Sequence, residues 1–553
     1  MVSRHILITA ALPYANGPIH IGHLVEYIQA DIWARYQKSC GHDCLYICAS
    51  DAHGTPVMLR AQAEGVSPQA LVERYHAEHE RDFAAFDVGF DNFYTTDSPE
   101  NRAQAERIFQ RAQTGGYVEK RTIRQAYCET QRMFLPDRYI RGQCPKCGAQ
   151  DQYGDSCEAC GAVYTPAEMV APRCALDNLP ITFRPSEHYF FKLSAFTDML
   201  RGWATAEHLH PQVVAKLQEW FTQGLLDWDI SRDAPYAGFT IPGETGKYFY
   251  VWWDAPIGYI ASTQNWCERH GRPYESYWIG EDAELYHFIG KDILYFHTLF
   301  WPAMLSCAGY RMPRRVFIHG FLTVDGLKMS KSRGTFINAA TYLRYLDPQY
   351  LRYYYACKLG PDTSDLGLST QDFAARVNAD LVGNFANLPS RSAGLLARRL
   401  DNRLGRMDAA GRELVDRVQA SAAEIGLAYE ACEYGQAVRL ITAQADALNR
   451  YMEGEKPWER VKTEPERACT ALTTALNGVR LLSAYLGPVL PRFPEKMGRL
   501  LGCPTPDFTR LADRVEDRAI GAYERIAERL DPKGVEAMIA ETAAEQAAQP
   551  EKA

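Results

Sequence analysis

Four cysteines within seventeen residues constrain this chain more tightly than any other feature of its sequence. They are Cys144, Cys147, Cys157 and Cys160. They form two C-x2-C pairs, CPKCG and CEACG, and each pair predicts a tight turn that points both thiolates the same way. Gly148 and Gly161 follow the pairs and permit the left-handed backbone of such turns. Two chance pairs or a redox pair are the alternatives, but the spacing favours one structural Zn²⁺ in a closed site.

Composition narrows the class of protein. The chain has 553 residues, enough for about three to four domains. Its net charge of −8 excludes a globally basic nucleic-acid coat, but not a local basic face. The 15 cysteines are odd in number and mostly scattered, which indicates a reducing compartment where Cys128 and Cys174 are core or surface thiols. No apolar run reaches the ~18 residues of a membrane span, and Ile6–Leu12 is too short for a signal peptide. We therefore expect a large cytoplasmic enzyme.

Short apolar runs alternate with amphipathic stretches in the first 115 residues, which predicts a parallel α/β domain. The predicted strands are Ile6–Leu12 and Leu45–Ala49, with a helix over 20–39 between them. Residues 116–230 are richer in turn residues and contain a strand at Tyr189–Leu193, so they are interpreted as an insertion. Three further strands are predicted in the second half of the same sheet. They are Tyr248–Trp253, Tyr286–Ile289 and Val316–Ile318.

The remainder of the chain has helical periodicity. One apolar stripe runs from Phe373 to Leu388 in steps of three or four residues, and a second runs from Ala468 to Leu486. The region from Ser369 to about Asp531 is therefore predicted to be an antiparallel helix bundle. The last fifteen residues are rich in Ala, Glu and Gln and are predicted to be a frayed or disordered tail.

A glycine-flanked histidine pair follows the first predicted strand. In PYANGPIHIGH, residues 13–23, His20 and His23 lie three apart in the first turn of the following helix, and Gly22 leaves room for a nucleotide. Unpaired amides at a helix start attract phosphate, and two imidazoles can donate hydrogen bonds to its oxygens. Two surface histidines would be the simpler explanation.

A second short motif is KMSKS, residues 328–332, between Gly326 and Gly334. Lys328 and Lys331 on a loop suit a clamp on the pyrophosphate of ATP. Such a pentapeptide is commonly only a solvated turn. The two motifs in this order on an α/β frame favour the catalytic interpretation.

With these motifs the chain resembles the class I aminoacyl-tRNA synthetases, and more closely their methionyl-tRNA synthetase family. The resemblance rests on PYANGPIHIGH, SDAHGTP (50–56), DWDISRDAPY (227–236), YFYVWWDAPIGY (248–259), FIGKDILYFH (288–297) and KMSKSRG. It implies activation of L-methionine by Mg²⁺-ATP to methionyl-adenylate, then transfer to tRNA(Met).

The resemblance also implies a domain organisation. It is a Rossmann-type parallel-sheet catalytic domain, split by a zinc-knuckle insertion and followed by an all-α anticodon-binding helix bundle. The expected boundaries are 1–115 and 231–325 for the two catalytic halves, 116–230 for the insertion with its knuckle at about 140–165, 326–368 for the KMSKS loop and stem-contact region, 369–531 for the helix bundle and 532–553 for the C-terminal tail.

Site residues are implied position by position. The methionine pocket would comprise Leu12, Tyr14, Asp51, Trp252, Ala255, Pro256, Tyr259, Ile293 and His297, with Asp51 holding the substrate's ammonium. ATP would contact His20, Gly22, His23, Gly290, Lys291, Asp292, Lys328 and Lys331. Catalysis would fall to His20, His23, Lys328 and Lys331, with Lys331 at the transition state. Trp253 stands where a smaller apolar residue is expected, behind the pocket.

Anticodon recognition would involve Asn387, Arg391 and Trp458. An aromatic ring can stack on an unstacked base while an amide and a guanidinium read base edges. Five arginines between 391 and 406 form a possible phosphate-binding strip or simply a solvated helix face. Pro389 interrupts the helical spacing of Asn387 and Arg391, so the prediction concerns the identities of these residues and not their local geometry.

Other families remain as alternatives. The cysteinyl enzyme uses zinc in an open site, and the isoleucyl, valyl and leucyl enzymes need a longer insertion than the interval from His23 to Lys328 allows. A small-molecule nucleotidylyltransferase shares the H-x-G-H chemistry, and a non-catalytic zinc-containing tRNA-binding protein would not need the lysines. The chain stops at Ala553 without the dimerising C-terminal domain of many bacterial relatives, so a monomer without membrane association is expected.

Overall fold

The computed structural model describes residues 3–136, 139–154, 157, 159–160, 162, 164–280, 282–328 and 336–548, with the backbone alone at 327–328 and 547–548. None of the helices in this described part is both long and apolar enough to cross a bilayer.

A five-stranded parallel sheet forms the centre of the first half of the molecule. Its strands are β1 (His5–Ala10), β2 (Asp43–Ser50), β3 (Asn92–Thr95), β4 (Ala283–Gly290) and β5 (Arg315–His319), in the order β5-β4-β1-β2-β3. Ile8 of β1 lies opposite Tyr46 of β2 and Tyr286 of β4. Because the strand order reverses at β1, a crevice opens at the carboxyl ends of β1, β2 and β4, where sheets of this type bind ligands.

Apolar side chains cover both faces of this sheet. Ile8 and Tyr46 face one core, which continues through the helix α1 (Ile21–Ser39) into the helical half, whereas Leu7 and Ile47 face the other. Continuous apolar runs are expected for parallel strands covered on both sides, which explains why β1, β2, β4 and β5 were predictable. The other helices of this part are Thr55–Glu64, Pro68–Ala85, Pro99–Thr114, Val251–Asp254, Gly258–His270, Glu275–Trp278 and Trp301–Ala308, with a π-helix at Phe296–Phe300 and a 3-10 turn at Lys291–Ile293.

The stretch between β3 and β4 carries separate small sheets. A four-stranded sheet pairs Val118–Cys128 with Thr182–Phe191 over ten residue pairs and adds Met133–Phe134 and Trp228–Asp229 at its edges. A three-stranded sheet carries the cysteine turns and contains Ile140–Gln143, Gln152–Tyr153 and Val170–Cys174. Short 3-10 turns at Pro166–Glu168 and Leu193–Phe196 and helices at Thr197–Trp203 and Pro211–Gln223 complete this stretch.

The predicted strand Tyr248–Trp253 is wrong in its extent and its sheet. Only Lys247–Phe249 is extended, and it pairs with Ser231–Asp233 in a separate two-stranded sheet. The following residues Val251–Asp254 form a helical turn. Because short apolar runs fit a buried helix as well as a strand, composition alone did not separate the two.

After β5 a small sheet and two helices lead to the helical half. The strands Leu322–Val324, Leu327–Lys328 and Leu366–Leu368 form the sheet, and the helices are Ala339–Tyr345 and Pro348–Lys358. The predicted bundle then follows, with its helices at Thr370–Arg376, Asn387–Arg399, Ala409–Ala420, Ala422–Glu430, Tyr434–Glu455, Pro457–Arg460, Pro465–Leu486 and Arg492–Leu501, and a π-helix at Val377–Ala386.

The bundle ends earlier than predicted. Beyond Leu501 the chain to Asp531 contains only a 3-10 turn at Phe508–Arg510. Hydrogen bonds with the bundle hold this segment in place: Asn477 bonds with both backbone groups of Val515 at 2.8 Å. The sequence prediction carried the bundle on to about Asp531, but the buried residues Val515, Ile520 and Leu530 are not at helical spacing.

The prediction of a frayed or disordered tail is wrong for residues 539–548, and residues 549–553 lie outside the described part of the chain. Pro532–Ala548 is a helix whose Val535, Met538 and Thr542 side chains are buried. It packs against the helix Ala339–Tyr345, and the Arg344 guanidinium lies 2.5 Å from the Glu545 carboxylate. Few apolar residues sufficed here because the helix covers an existing surface instead of building a core of its own.

Candidate active site

A cavity of about 480 Å³ opens at the carboxyl ends of β1, β2 and β4. All nine residues that the sequence assigns to the methionine pocket line it: Leu12, Tyr14, Asp51, Trp252, Ala255, Pro256, Tyr259, Ile293 and His297. Five of the residues assigned to ATP also line it: His20, Gly22, His23, Gly290 and Asp292. Segments up to 311 residues apart in sequence therefore converge on one cavity, from Ala11 to Leu322.

His20 and His23 form the amino-terminal cap of α1. The His20 ring accepts a hydrogen bond from the backbone amide of His23 at 3.2 Å, and the His23 ring accepts one from the amide of His20 at 3.3 Å. Their rings stack with centroids 3.6 Å apart. This reciprocal cap follows from the three-residue spacing, and it satisfies two amides that a helix start leaves unpaired.

The His23 ring is held neutral. Desolvation of the ring and nearby His79 together lower its pKa to about 4. A neutral imidazole still has one N–H to donate, so His23 can stabilise developing negative charge on a phosphate without carrying a positive charge of its own.

One buried carboxylate and one half-buried phenol line the cavity side by side. Asp51 directly follows β2, is 4% exposed, and pairs with Tyr14 in an isolated parallel bridge. Burial raises the pKa of Asp51 well above its usual range, and the Asp254 carboxylate adds to this. A cation in the cavity would favour the ionised form, so this part of the cavity is suited to an ammonium group.

Tyr259 and His297 are joined at the back of the cavity. The His297 Nδ1 donates to the Ile293 carbonyl at 3.2 Å, which leaves Nε2 to accept from the Tyr259 hydroxyl at 2.9 Å. Burial lowers the pKa of His297 to about 4, so this pair is uncharged at neutral pH. The Trp252 ring stacks on Phe296 at 3.6 Å and completes an aromatic wall that suits an apolar thioether.

Lys291 is the one described ATP-assigned residue that lies elsewhere. It is not among the residues that line the cavity, and its Nζ lies 2.5 Å from the Asp365 carboxylate. Lys331 lies outside the described residues, and Lys328 is described by its backbone alone, in the strand Leu327–Lys328. The described chain resumes at Phe336, whose ring centroid lies 4.3 Å from that of His20.

Sequence reasoning missed part of the cavity wall. The additional lining residues are Ala11, Pro13, Glu26, Tyr27, His319, Gly320, Phe321 and Leu322. Glu26 could have been found, because it lies one turn after His23 on α1, where a buried carboxylate is unusual. It accepts from the Ala11 amide and lies 3.5 Å from the His319 ring, and burial raises its pKa. His319 to Leu322 carry no motif and were not predictable.

Trp253, singled out as unusually large, lies behind the cavity wall. It is fully buried, and its indole N–H donates to the Ala105 carbonyl at 3.3 Å. Its ring packs edge-on against Phe109 at 6.1 Å. The larger side chain therefore fills the core beneath the pocket instead of narrowing the pocket itself.

The four knuckle cysteines converge as predicted. Their Sγ atoms all lie within 4.8 Å of one another, with Cys144 and Cys160 3.9 Å apart and Cys147 and Cys157 3.6 Å apart. Four thiolates around one Zn²⁺ at about 2.3 Å are expected to lie roughly 3.8 Å from each other. Gly148 has a φ of +77°, as the turn requires, whereas Gly161 lies outside the described residues. This cluster could hold a metal ion.

Cys128 and Cys174 are buried thiols, as expected from their position outside the knuckle spacing. The Cys128 Sγ donates to the Asp177 carboxylate at 3.2 Å. Asp177 was not singled out from the sequence.

The residues assigned to the anticodon meet on one surface of the helical half. Asn387 and Arg391 are exposed on the helix Asn387–Arg399, and the Arg391 guanidinium lies 4.5 Å from the centre of the Trp458 ring. Helix continues through Pro389, because the π-helix Val377–Ala386 widens the backbone just before it and accommodates a residue that cannot donate. In the arginine strip, Arg406 pairs with Asp517 at 2.5 Å.

Both halves of the chain are similar in sequence to known proteins. The family model described as tRNA synthetases class I (M) matches residues 6–393, and that of the anticodon binding domain of methionyl tRNA ligase matches residues 403–525. The chain is 51% identical over 544 residues to Methionine–tRNA ligase of Thiobacillus denitrificans, covering 97% of this chain and 78% of that protein.

Solved structures show the same similarity. Mycobacterium tuberculosis methionyl-tRNA synthetase in complex with methionyl-adenylate is 26% identical, with a TM-score of 0.78, covering 94% of this chain and 99% of that one. The free-state structure of that synthetase, at 24% identity and a TM-score of 0.73, matches in fold.

Proposed function

The chain belongs to the methionyl-tRNA synthetase family and is a methionine–tRNA ligase, and on this premise we propose how its residues divide the work. The observation that carries the proposal is the single cavity that brings a buried carboxylate, an aromatic wall and two capping histidines together. The carboxylate and the wall suit an amino acid with an apolar side chain, and the histidines suit a phosphate.

Methionine binds through three contacts. The Asp51 carboxylate takes the ammonium, Trp252 and Ile293 contact the thioether, and the Tyr259–His297 pair closes the end of the pocket. Since that pair is neutral and internally hydrogen-bonded, a polar side chain there would lack a partner. Tyr14, Leu12, Ala255 and Pro256 shape the remainder.

Adenylation follows from this placement. The methionine carboxylate attacks the α-phosphate, a new oxygen–phosphorus bond forms, and the bond to pyrophosphate breaks with its electron pair leaving on pyrophosphate. The carboxylate is already ionised, so no general base is needed. His20, His23 and Lys331 stabilise the charge that develops on the phosphate oxygens. Gly290 and Asp292 hold the nucleotide, Lys291 would reach it only by leaving Asp365, and Mg²⁺ bound to ATP would offset its negative charge.

Transfer to tRNA uses both halves of the molecule. The 2′-hydroxyl of the 3′-terminal adenosine attacks the activated carbonyl and AMP leaves. Trp458 stacks on an anticodon base, while Asn387 and Arg391 read base edges, in elongator and initiator tRNA(Met) alike. The described contact of Arg391 with the Trp458 ring supports this, because it holds the guanidinium beside the stacking surface.

One Zn²⁺ ion is held by Cys144, Cys147, Cys157 and Cys160 in a structural role, because four thiolates leave no open coordination position. Metal analysis of the purified protein should give about one zinc per chain, and Cys147→Ser should lower that content. A Cys267→Ser variant, outside the cluster, is the matched control. Zinc retained in full by Cys147→Ser would contradict the assignment.

We also propose that the protein is a cytoplasmic monomer. Sedimentation at micromolar concentration should give one species near 62 kDa. A dimer would contradict the proposal.

Methionine-dependent ATP–pyrophosphate exchange tests the assignment of the cavity. Exchange with methionine, and not with the other nineteen amino acids, is the expected result. Exchange with cysteine or another amino acid would keep the adenylation chemistry and overturn the pocket assignment. Absence of exchange with all twenty, from protein that melts cooperatively, would overturn the catalytic proposal.

A further inference from the structure

Three ionisable groups lie buried beside the proposed ammonium site. Asp51 is 4% exposed and His53 5% exposed, and Asp254 is fully buried. Asp51 lines the cavity, whereas His53 and Asp254 do not. Two carboxylates and one imidazole this close in a low-dielectric interior have to share their charges, because each unpaired charge carries a large desolvation penalty.

His53 and Asp254 are paired with each other. The His53 Nδ1 and the Asp254 Oδ2 form a short hydrogen bond, and the His53 Nε2 lies 3.7 Å from the carboxylate of half-exposed Asp97. The backbone amide of His53 donates to Asp51 at 3.3 Å, so the same loop fixes both side chains. Phe239 covers the imidazole, its ring centroid 4.6 Å from that of His53.

This pair also joins the two parts of the pocket. His53 follows β2 and the proposed ammonium-binding residue, and Asp254 lies 201 residues further along the chain. Asp254 sits between Trp252 and Ala255, both of which line the cavity. Asn101 supports the same turn by donating to the Asp254 carbonyl at 3.3 Å and to the Thr96 carbonyl at 2.9 Å.

The charges explain why a pair is needed. Burial opposes a cation at His53, but the Asp254 carboxylate outweighs it and raises the pKa of His53 to about 10. His53 is therefore an imidazolium at neutral pH. Without Asp254, the imidazole could keep its proton only through the remaining carboxylates, half-exposed Asp97 and buried Asp51, and pairing with Asp51 would compete there with the substrate's ammonium.

We propose that the buried His53–Asp254 pair is a positioning unit for the ammonium group of the amino acid: Asp254 pairs with the His53 side chain, so that the Asp51 carboxylate is left for the substrate. The inference rests on the proposed role of Asp51. Neither His53 nor Asp254 touches the reacting atoms, so both act through Asp51 and through the turn that carries Trp252.

The test compares two ligands that differ only in the amine. L-methioninol carries the ammonium and the thioether side chain, and 4-(methylthio)butan-1-ol is its counterpart without the amine. Their dissociation constants, measured by isothermal titration calorimetry on the full chain, give the preference for the amine as a ratio.

Asp254→Asn should reduce this preference about tenfold while leaving the affinity for the alcohol within about twofold, because His53 then competes for Asp51. The double variant His53→Gln/Asp254→Asn removes both charges and should restore the preference to within about twofold of the parent. An equal loss of affinity for both ligands, or no recovery in the double variant, would mean that the pair only stabilises the fold and would overturn the inference.

Two further variants keep the outcome decisive. Asp51→Asn should abolish the preference for the amine. If the preference survives in Asp51→Asn, the proposed role of Asp51 is refuted. If Asp51→Asn loses the preference but Asp254→Asn keeps that of the parent, only the inference about the pair is refuted. If Asp254→Asn does not fold, the half-exposed Asp97→Asn should lower the preference about twofold, and an unchanged ratio would overturn the inference.

Discussion

The cavity and the surface formed by Asn387, Arg391 and Trp458 place polar side chains in opposite environments. In the cavity, Asp51 and His297 are buried, and the pKa of His297 is lowered to about 4. On the helical half, Arg391 pairs with Glu453 at 3.7 Å, and both side chains are more than half exposed. A buried polar group acts with little competition from water, whereas an exposed one is screened by water and salt. Each substitution in the cavity is therefore expected to reduce activity or stability far more than a substitution on the surface.

The largest effect is expected at His23. His23→Ala removes a donor to the phosphate and one half of the reciprocal helix cap, so the exchange rate should fall about 10²- to 10³-fold with the KM for methionine nearly unchanged. His270→Ala, a histidine on an exposed stretch of the helix Gly258–His270, is the control and should keep full activity. An increase in the KM for methionine with an unchanged exchange rate would assign His23 to the amino acid site instead.

The next largest effect concerns the pH dependence of the free energy of unfolding. Because burial lowers the pKa of His297 to about 4, the unfolded chain binds a proton between about pH 6.5 and 4 that the folded chain does not. The contribution of His297 to the free energy of unfolding is therefore fully present above pH 6.5. It is lost as the pH falls toward 4, by up to about 1.4 kcal/mol per pH unit.

His297→Gln keeps an acceptor for Tyr259 and does not titrate. Its urea midpoint should consequently decline less steeply than that of the parent between pH 6.5 and 4.5. Parallel pH profiles for the two proteins would show that His297 is protonated in the folded state, and would remove the neutral character that distinguishes the cavity.

Salt should separate the two regions. Raising the ionic strength from about 50 to 200 mM should raise the KM for tRNA and leave the rate of methionine-dependent exchange unchanged. Each phosphate contact should account for about a two- to threefold rise in that KM. Arg399→Gln, on the exposed helix face, should reduce that dependence by one contact, and Arg525→Gln serves as the control on another exposed surface. A salt dependence of exchange equal to that of charging would contradict the distinction.

The smallest effect is expected at Glu453. Glu453→Gln releases Arg391 from an exposed ion pair, and such pairs contribute between about 0 and 1 kcal/mol. The KM for tRNA should therefore change by twofold or less, in the direction of tighter binding. A tenfold change would mean that Glu453 itself contacts the anticodon.

The two regions also differ in how far the sequence predicts them. Motifs and resemblance named nine residues that all line the cavity, because these residues lie in short contiguous blocks. His319 to Leu322 and the His53–Asp254 contact were not predictable, since they depend on which distant segments the sheet order brings together. In the helical half, periodicity predicted the bundle, but it extended helix past Leu501 and missed the docked helix Pro532–Ala548, because burial there comes from covering a neighbour.

The central claim is that the cavity carries out activation and the helical surface serves only tRNA recognition. Measuring ATP–pyrophosphate exchange and tRNA charging side by side for Asp51→Asn and Trp458→Ala tests it most directly. Asp51→Asn should lose both activities about a hundredfold or more. Trp458→Ala should keep exchange within twofold and lose charging about tenfold, as expected for one lost base stack. Equal losses of exchange and charging in Trp458→Ala would contradict the claim.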